Sequence, residues 1–277
     1  MFKTYGIIGL LLIIIAHINY FFDVQPFAHW YFAIIWVGYI LLIDSIIFQL
    51  KHESMLTKRK AEFAAITITS ILIWWIFELL NLRTGNWGYN SIMGMEAISN
   101  VGRKTIMYAT MLPAFFETVE LFKTLNLFSH SKLKKKHNIT KPLLHTMKGI
   151  GIICLLLPLL FPKIFFPLIW LAFYFILDPV NYLHKQPSII QHIKDRKLQT
   201  PFILMLAGIT MGVLWEAWNY YAVPSTKWHY NIPYLGFFKI FEMPILGYLG
   251  YLPFSFELYA MYFFIKGLFE HKEKLLE

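Results

Sequence analysis

Eight apolar blocks run the length of this chain, at about 5–22, 29–49, 63–82, 104–125, 146–161, 164–183, 201–222 and 241–267, separated by short polar connectors. Blocks of about 17–25 residues match what a helix needs to cross a hydrocarbon layer roughly 30 Å thick. Within that layer the backbone must satisfy its own hydrogen bonds, which a helix does. Charged residues make up only 15% of the 277, and the mean hydropathy is +0.53. A soluble domain of this size carries about 25% charged residues. The expected fold class is therefore an all-α integral membrane protein with eight transmembrane helices. The fifth block is short and contains Pro158, so its boundary is soft. The first block follows Lys3 but lacks a small-x-small cleavage pattern, so it reads as a helix and not as a removable leader.

Lysine and arginine fix the orientation. With the N-terminus inside, nineteen of them fall on inner segments, including Lys58-Arg59-Lys60 and Lys134-Lys135-Lys136, and six fall outside. Both termini are therefore expected in the cytoplasm. The formal net charge of +9 would suit a nucleic-acid binder, but its placement in the connectors is a membrane topology signal instead, and no nucleic-acid partner is expected. The single cysteine, Cys154, can form no internal disulfide.

Four signatures occur twice in the same order. Ile35-Trp36 precedes Asp44 as Ile169-Trp170 precedes Asp178. Glu78-x-x-Asn81 matches Glu216-x-x-Asn219. Trp87-Gly88-Tyr89-Asn90 matches Trp228-His229-Tyr230-Asn231. Leu112-Pro113 with Glu117 matches Leu252-Pro253 with Glu257. The offsets lie between 134 and 141, which marks an internal duplication. The chain accordingly divides into a first four-helix repeat (1–125), a basic cytoplasmic connector (126–145), and a second repeat with its tail (146–277). Four helices per repeat is an even number, so the halves enter the membrane in the same sense, as parallel repeats.

Ionisable groups inside a membrane are expensive, and they mark functional sites or interhelical ties. Glu78 and Glu216 lie near the outer ends of the third and seventh blocks, and Asn81 and Asn219 share a helix face with them at i, i+3. Glu117 and Glu257 lie deeper. These four glutamates are the candidate catalytic groups, and glue between helices is the alternative role. Asp44 and Asp178 read as structural, Asp178 because Pro179 follows it. Trp87, Tyr89, Trp228 and Tyr230 fall in outer loops, as belts or pocket lids. Trp74, Trp75, Trp215 and Trp218 sit beside the acids, where aromatic faces could stabilise a cation. Asn81, Asn219, Trp87, Tyr89, Trp228, Tyr230 and Trp215 are the candidate substrate-binding residues. No His-x3-His or Cys-x2-Cys spacing, phosphate loop or nucleophile elbow occurs, so no metal or cofactor is expected, although the carboxylates and amides could hold a hard cation through oxygen.

The order of these signals resembles the small multi-span lycopene cyclases of the heterodimeric bacterial and archaeal type. Each half of those proteins carries an acid-bearing helix, a Trp-x-aromatic loop and a Pro-x-Glu-Glu at the next helix start. The similarity covers about half of each repeat. It departs at the last motif: Pro113-Ala114-Phe115-Phe116-Glu117 and Pro253-Phe254-Ser255-Phe256-Glu257 carry one Glu, a helical turn later. The resemblance implies a plasma-membrane protein doing cofactor-independent proton-transfer chemistry on a polyisoprenoid. Three readings follow: a lipid- or isoprenoid-binding cyclase or isomerase, a proton- or cation-coupled transporter, and a non-catalytic membrane subunit or assembly factor. The topology is tested by single cysteines introduced within 130–137 and within 224–231. They should label from opposite sides of the membrane, and labelling from one side would end the eight-span reading.

Overall fold

The computed structural model describes residues 2–89, 97–223, 226–232 and 238–276, with only the backbone at 97–100 and 270–276; Asn90 lies outside the described residues. In chain order the helices are α1 (Thr4–Phe22), α2 (Tyr31–Lys51), α3 (Met55–Lys58), α4 (Lys60–Thr84), α5 (Ala97–Ala109), α6 (Met111–Thr124), α7 (Lys141–Leu160), α8 (Pro162–Phe165), α9 (Ile169–Leu183), α10 (Ile189–Lys194), α11 (Gln199–Tyr220) and α12 (Tyr251–Leu276). Six helical segments are long and apolar enough to cross a membrane. They comprise α1, α2 with the turn before it, α4, α7, α8 continued into α9, and α11.

The other two apolar blocks are also helical but differ from the sequence reading. The fourth is broken at Thr110 into α5 and α6. Pro113 has no N–H for the carbonyl four residues back, so it sits comfortably only in the first turn of a new helix. The eighth begins at Tyr251 and not near 241. The residues before it form a two-residue hairpin, Lys239–Ile240 with Met243–Pro244, followed by a 3-10 turn, and Pro253 again falls in the first helical turn.

Tight crossings set the outer walls. A Cβ on Gly9 of α1 would stand 2.8 Å from the backbone nitrogen of Leu42 in α2, and one on Gly151 of α7 would stand 2.8 Å from that of Ile176 in α9. Only glycine lets the backbones approach so closely. The far sides of α1 and α7 expose Ile7, Leu11, Ile14, Ile15, Ile152, Ile153 and Leu156, a surface suited to lipid. The core lies where α2, α4 and α6 meet α11 and α12, around the fully buried Trp36, Ile73, Leu112 and Leu204.

Asp44 and Asp178, both fully buried, hold the inner corners. Asp44 accepts from Tyr5 Oη (2.5 Å), Ser54 Oγ (2.8 Å) and the backbone N–H of Leu56 (2.9 Å). Asp178 accepts from the N–H groups of Ile189 (2.7 Å) and Ile190 (3.0 Å). Each thereby satisfies a donor at the start of a short helix, α3 or α10, that would otherwise be buried without a partner. The connector is docked as well: Leu133 N–H donates to Arg196 O, and Leu198 N–H to Ser131 O. Asp178→Ala orphans two buried donors and should cost about 2–4 kcal/mol. Thermal unfolding in detergent should show a midpoint several degrees lower, and an unchanged midpoint would refute this account.

Candidate functional site

Two asparagines build the outer end. Asn81 Oδ1 accepts from the N–H groups of Asn86 (2.9 Å) and Trp87 (3.3 Å), and its Nδ2 donates to Trp87 O (2.8 Å). Asn219 repeats the arrangement: Oδ1 accepts from Trp228 N–H (3.0 Å) and Nδ2 donates to Trp228 O (2.9 Å). Each carboxamide acts as a strand partner for one tryptophan. The residues so held form β1 (Trp87–Tyr89) and β2 (Trp228–Tyr230), which pair antiparallel with Trp87 opposite Tyr230, Gly88 opposite His229 and Tyr89 opposite Trp228. The duplicated triplets therefore pair with each other in a self-complementary register.

Behind this ladder lie two glutamates. Glu78 Oε1 accepts from Trp87 Nε1 (3.0 Å) and Tyr89 Oη (2.6 Å), while Oε2 is 3.5 Å from Lys104 Nζ. Lys104 also sits 3.6 Å from the centre of the Tyr89 ring. Glu216 is fully buried, and its Oε1 accepts from Tyr230 Oη (2.6 Å) and Tyr251 Oη (2.8 Å). Its Oε2 has no partner, and no cation pairs with it among the described residues. Trp228 Nε1 donates to Tyr230 Oη and not to the acid (2.9 Å). Burial, reinforced by the adjacent carboxylates, pushes the phenols of Tyr89 and Tyr230 well above their usual range, so both remain protonated donors.

In front of the tyrosines is a cavity of about 470 Å³. Five tryptophans line it: Trp74, Trp87, Trp170, Trp215 and Trp228. Trp74 stacks on Trp215 with centroids 4.7 Å apart, and Trp87 stacks on Trp170 at 5.9 Å. Phe254 meets Trp170 edge-on at 5.1 Å, and Phe32 meets Trp228 at 5.1 Å. Tyr89, Tyr108, Tyr230 and Tyr251 complete the aromatic wall, and Arg103 and Lys104 are its charged members among the described residues. The volume falls in the range of small-molecule sites, about 300–1,000 Å³. The arrangement offers aromatic faces to a ligand and phenols that connect it to buried carboxyl groups.

The structure thus places Trp87, Tyr89, Trp215, Trp228 and Tyr230 in the cavity wall, with Glu78 and Glu216 one hydrogen bond behind it. Asn81 and Asn219 do not line it, because their amides are committed to the strand backbones. Glu117 and Glu257 do not line the cavity either. Since α6 starts only at Met111, Glu117 is carried away from the outer end to face α2. There it lies beside Asp44. Glu257 ties α12 to α9 by accepting from Phe173 N–H (2.8 Å). Sequence reasoning missed Tyr251, Trp170, Phe254, Tyr108, Arg103 and Lys104 as site residues. Trp170 was visible as half of a duplicated pair, and Tyr251 as the residue before Leu252-Pro253; the other four carried no signal.

No protein-family model, curated protein or solved structure matches this chain. The clasp is open to direct test. Asn219→Ala removes both bonds to Trp228, so amide exchange at Trp228 should accelerate about tenfold or more, the equivalent of about 1.4 kcal/mol. Unchanged exchange there would mean that the carboxamide does not hold the strand.

Proposed function

We propose that this chain is a membrane-embedded protein that binds a lipid or isoprenoid in the aromatic cavity and rearranges it by cofactor-independent acid–base chemistry, as a cyclase or isomerase similar in kind to the small lycopene cyclases. The observation that carries the reading is that two phenol–carboxyl pairs, Tyr89 with Glu78 and Tyr230 and Tyr251 with Glu216, abut one cavity walled by tryptophan. Two carboxyl groups in unlike surroundings are the usual basis for dividing acid and base roles. Glu216, without a cation, is assigned as the acid, delivering a proton to an alkene carbon through the Tyr230 or Tyr251 hydroxyl. The carbocation is held against the faces of Trp215, Trp74 and Trp228. Loss of a proton from a neighbouring carbon, taken up through Tyr89 toward Glu78, completes the cycle. One proton enters and one leaves, so the product is an isomer and no redox partner is consumed. Glu117 and Glu257 serve as buried interhelical groups in this scheme. A cation path would call for a polar wall, and this wall is aromatic.

The same proposal includes eight crossings, cytoplasmic termini and two four-helix halves of like orientation. It is supported by the self-complementary pairing of β1 with β2, and by the matching contacts of Asp44 and Asp178 and of Gly9 and Gly151. The chemistry is tested with an acyclic polyisoprenoid hydrocarbon and the purified protein in D2O, where a product of unchanged carbon skeleton mass with incorporated deuterium is expected. Glu216→Gln should keep ligand-induced changes in tryptophan fluorescence while lowering turnover about 10²–10⁴-fold, the range that general acid catalysis supplies. Equal turnover in the variant would remove Glu216 from the mechanism, and absence of any polyisoprenoid binding would overturn the reading as a whole.

A further inference from the structure

The phenols beside the two glutamates are wired differently. Tyr230 Oη and Tyr251 Oη both donate to Glu216 Oε1, at 2.6 and 2.8 Å, so they act in parallel. On the other side Tyr89 Oη lies 2.6 Å from Glu78 Oε1 and 3.1 Å from Tyr108 Oη, so three groups stand in series. A phenol carries one proton and lone pairs. Tyr89 commits its proton to Glu78, which leaves Tyr108 as the donor in the second bond. The Tyr108 proton therefore points along the series, and its oxygen has only lone pairs to offer elsewhere. Tyr108 belongs to the cavity wall and is 5% exposed. Both oxygen–oxygen distances fall within the reach over which a proton is passed, about 2.6–3.2 Å.

The backbone aims this tyrosine. Tyr108 O and Leu112 N–H are four residues apart, the pair that an unbroken helix would join. Here the helix breaks at Thr110, and the Ser70 hydroxyl of α4 stands between them, accepting from Leu112 N–H (2.9 Å) and donating to Tyr108 O. One side chain thus ties α4 to both sides of the break. The Tyr108 ring is packed by Trp75, edge-on at 5.6 Å, and by Trp74 at 6.1 Å.

Resting on the reading above, we propose that Tyr108 is the catalytic residue that takes the proton from the ligand, and that Ser70 is its positioning residue. The C–H bond beside the carbocation breaks, and its electron pair becomes the new alkene bond. The proton goes to the Tyr108 oxygen, the Tyr108 proton to Tyr89, and the Tyr89 proton to Glu78 Oε1. The ligand loses its positive charge as the Glu78 carboxylate loses its negative charge, and both phenols end neutral. A lone phenol is a weak base, and this one serves because each oxygen in the series gives up a proton as it gains one. The acid side needs no such link, since its phenols touch the carboxyl group directly.

The experiment incubates the full-length protein in D2O and neutral detergent with lycopene, and separately with squalene, and measures deuterium in the product and in the recovered starting hydrocarbon. Blocking the base leaves protonation intact, so the cation returns to starting material and labels it. Tyr108→Phe should therefore lower product formation about tenfold or more and raise the ratio of label in recovered hydrocarbon to label in product by a similar factor. Glu216→Gln should lower label in both. Ser70→Ala keeps the Tyr108 hydroxyl and loosens its aim, so it should raise the same ratio by a smaller factor; it carries the test if Tyr108→Phe loses the wild-type unfolding midpoint. An unchanged ratio in a folded Tyr108→Phe protein overturns the inference, whether product is made at the wild-type rate or label falls equally in both pools, and the acid–base reading then stands without Tyr108. Absence of deuterium from both pools with the wild-type protein would bring down that reading together with this inference.

Discussion

Asn219 commits its whole carboxamide to the backbone of Trp228, Asn81 commits its own to the backbones of Asn86 and Trp87, and the outer end of the protein depends on those clasps. A three-residue strand has too few ladder bonds to persist alone. Clamped at one end by the helix that precedes it, each strand becomes rigid enough to pair with its counterpart. The pairing in turn brings Trp87, Tyr89, Trp228 and Tyr230 side by side on one face of the ladder, in the wall of one cavity. Because the asparagine lies one turn beyond the glutamate on the same helix face, the helix that anchors the strand also presents the acid to the phenol of that strand. Glu-x-x-Asn is thus a positioning device, in which the amide sets the loop and the loop supplies donors to the acid.

The halves share this skeleton and differ in what they hang on it. Gly212 occupies the place that Trp74 holds in the first half, and a Cβ there would come within 2.6 Å of ring carbons of Tyr251. The missing side chain gives Tyr251 room to reach Glu216, while Trp74 instead stacks across the interface on Trp215. Trp36 is buried edge-on against Trp218 at 4.5 Å, whereas its counterpart Trp170 faces the cavity. On one side the acid meets Lys104; on the other it meets two phenols and no cation. The two clasps are built alike, and a few differing side chains around them leave Glu78 and Glu216 in unlike surroundings.

Much of the fold could be read from residues alone. Apolar length marked every long helix, and the repeated signatures located the corners at Asp44 and Asp178 and the strands at Trp87 and Trp228. Periodicity could not reveal the break at Thr110, because the residues on both sides are helix formers and only the lack of a donor at Pro113 separates them. The site was half legible. Glu78, Glu216 and the loop aromatics stand in repeated motifs, and Trp215 sits beside Glu216. Tyr108, Lys104 and Arg103 belong to α5, an element the sequence reading merged into its neighbour, and Phe254 belongs to a helix whose start was placed too early. Glu117 and Glu257, which follow the repeated Leu-Pro pair, do not line the cavity.

The register of the small ladder has a historical consequence. Trp87 faces Tyr230 just as Tyr89 faces Trp228, so each strand offers its partner the same surface that it receives, as in a two-fold symmetric dimer. A protein half this length, carrying one helix–clasp–strand unit, would have presented an edge able to pair with a second copy of itself. In such a dimer both copies would carry the same side chains around the ladder. The unequal partners of Glu78 and Glu216 are a state that no symmetric homodimer could have reached.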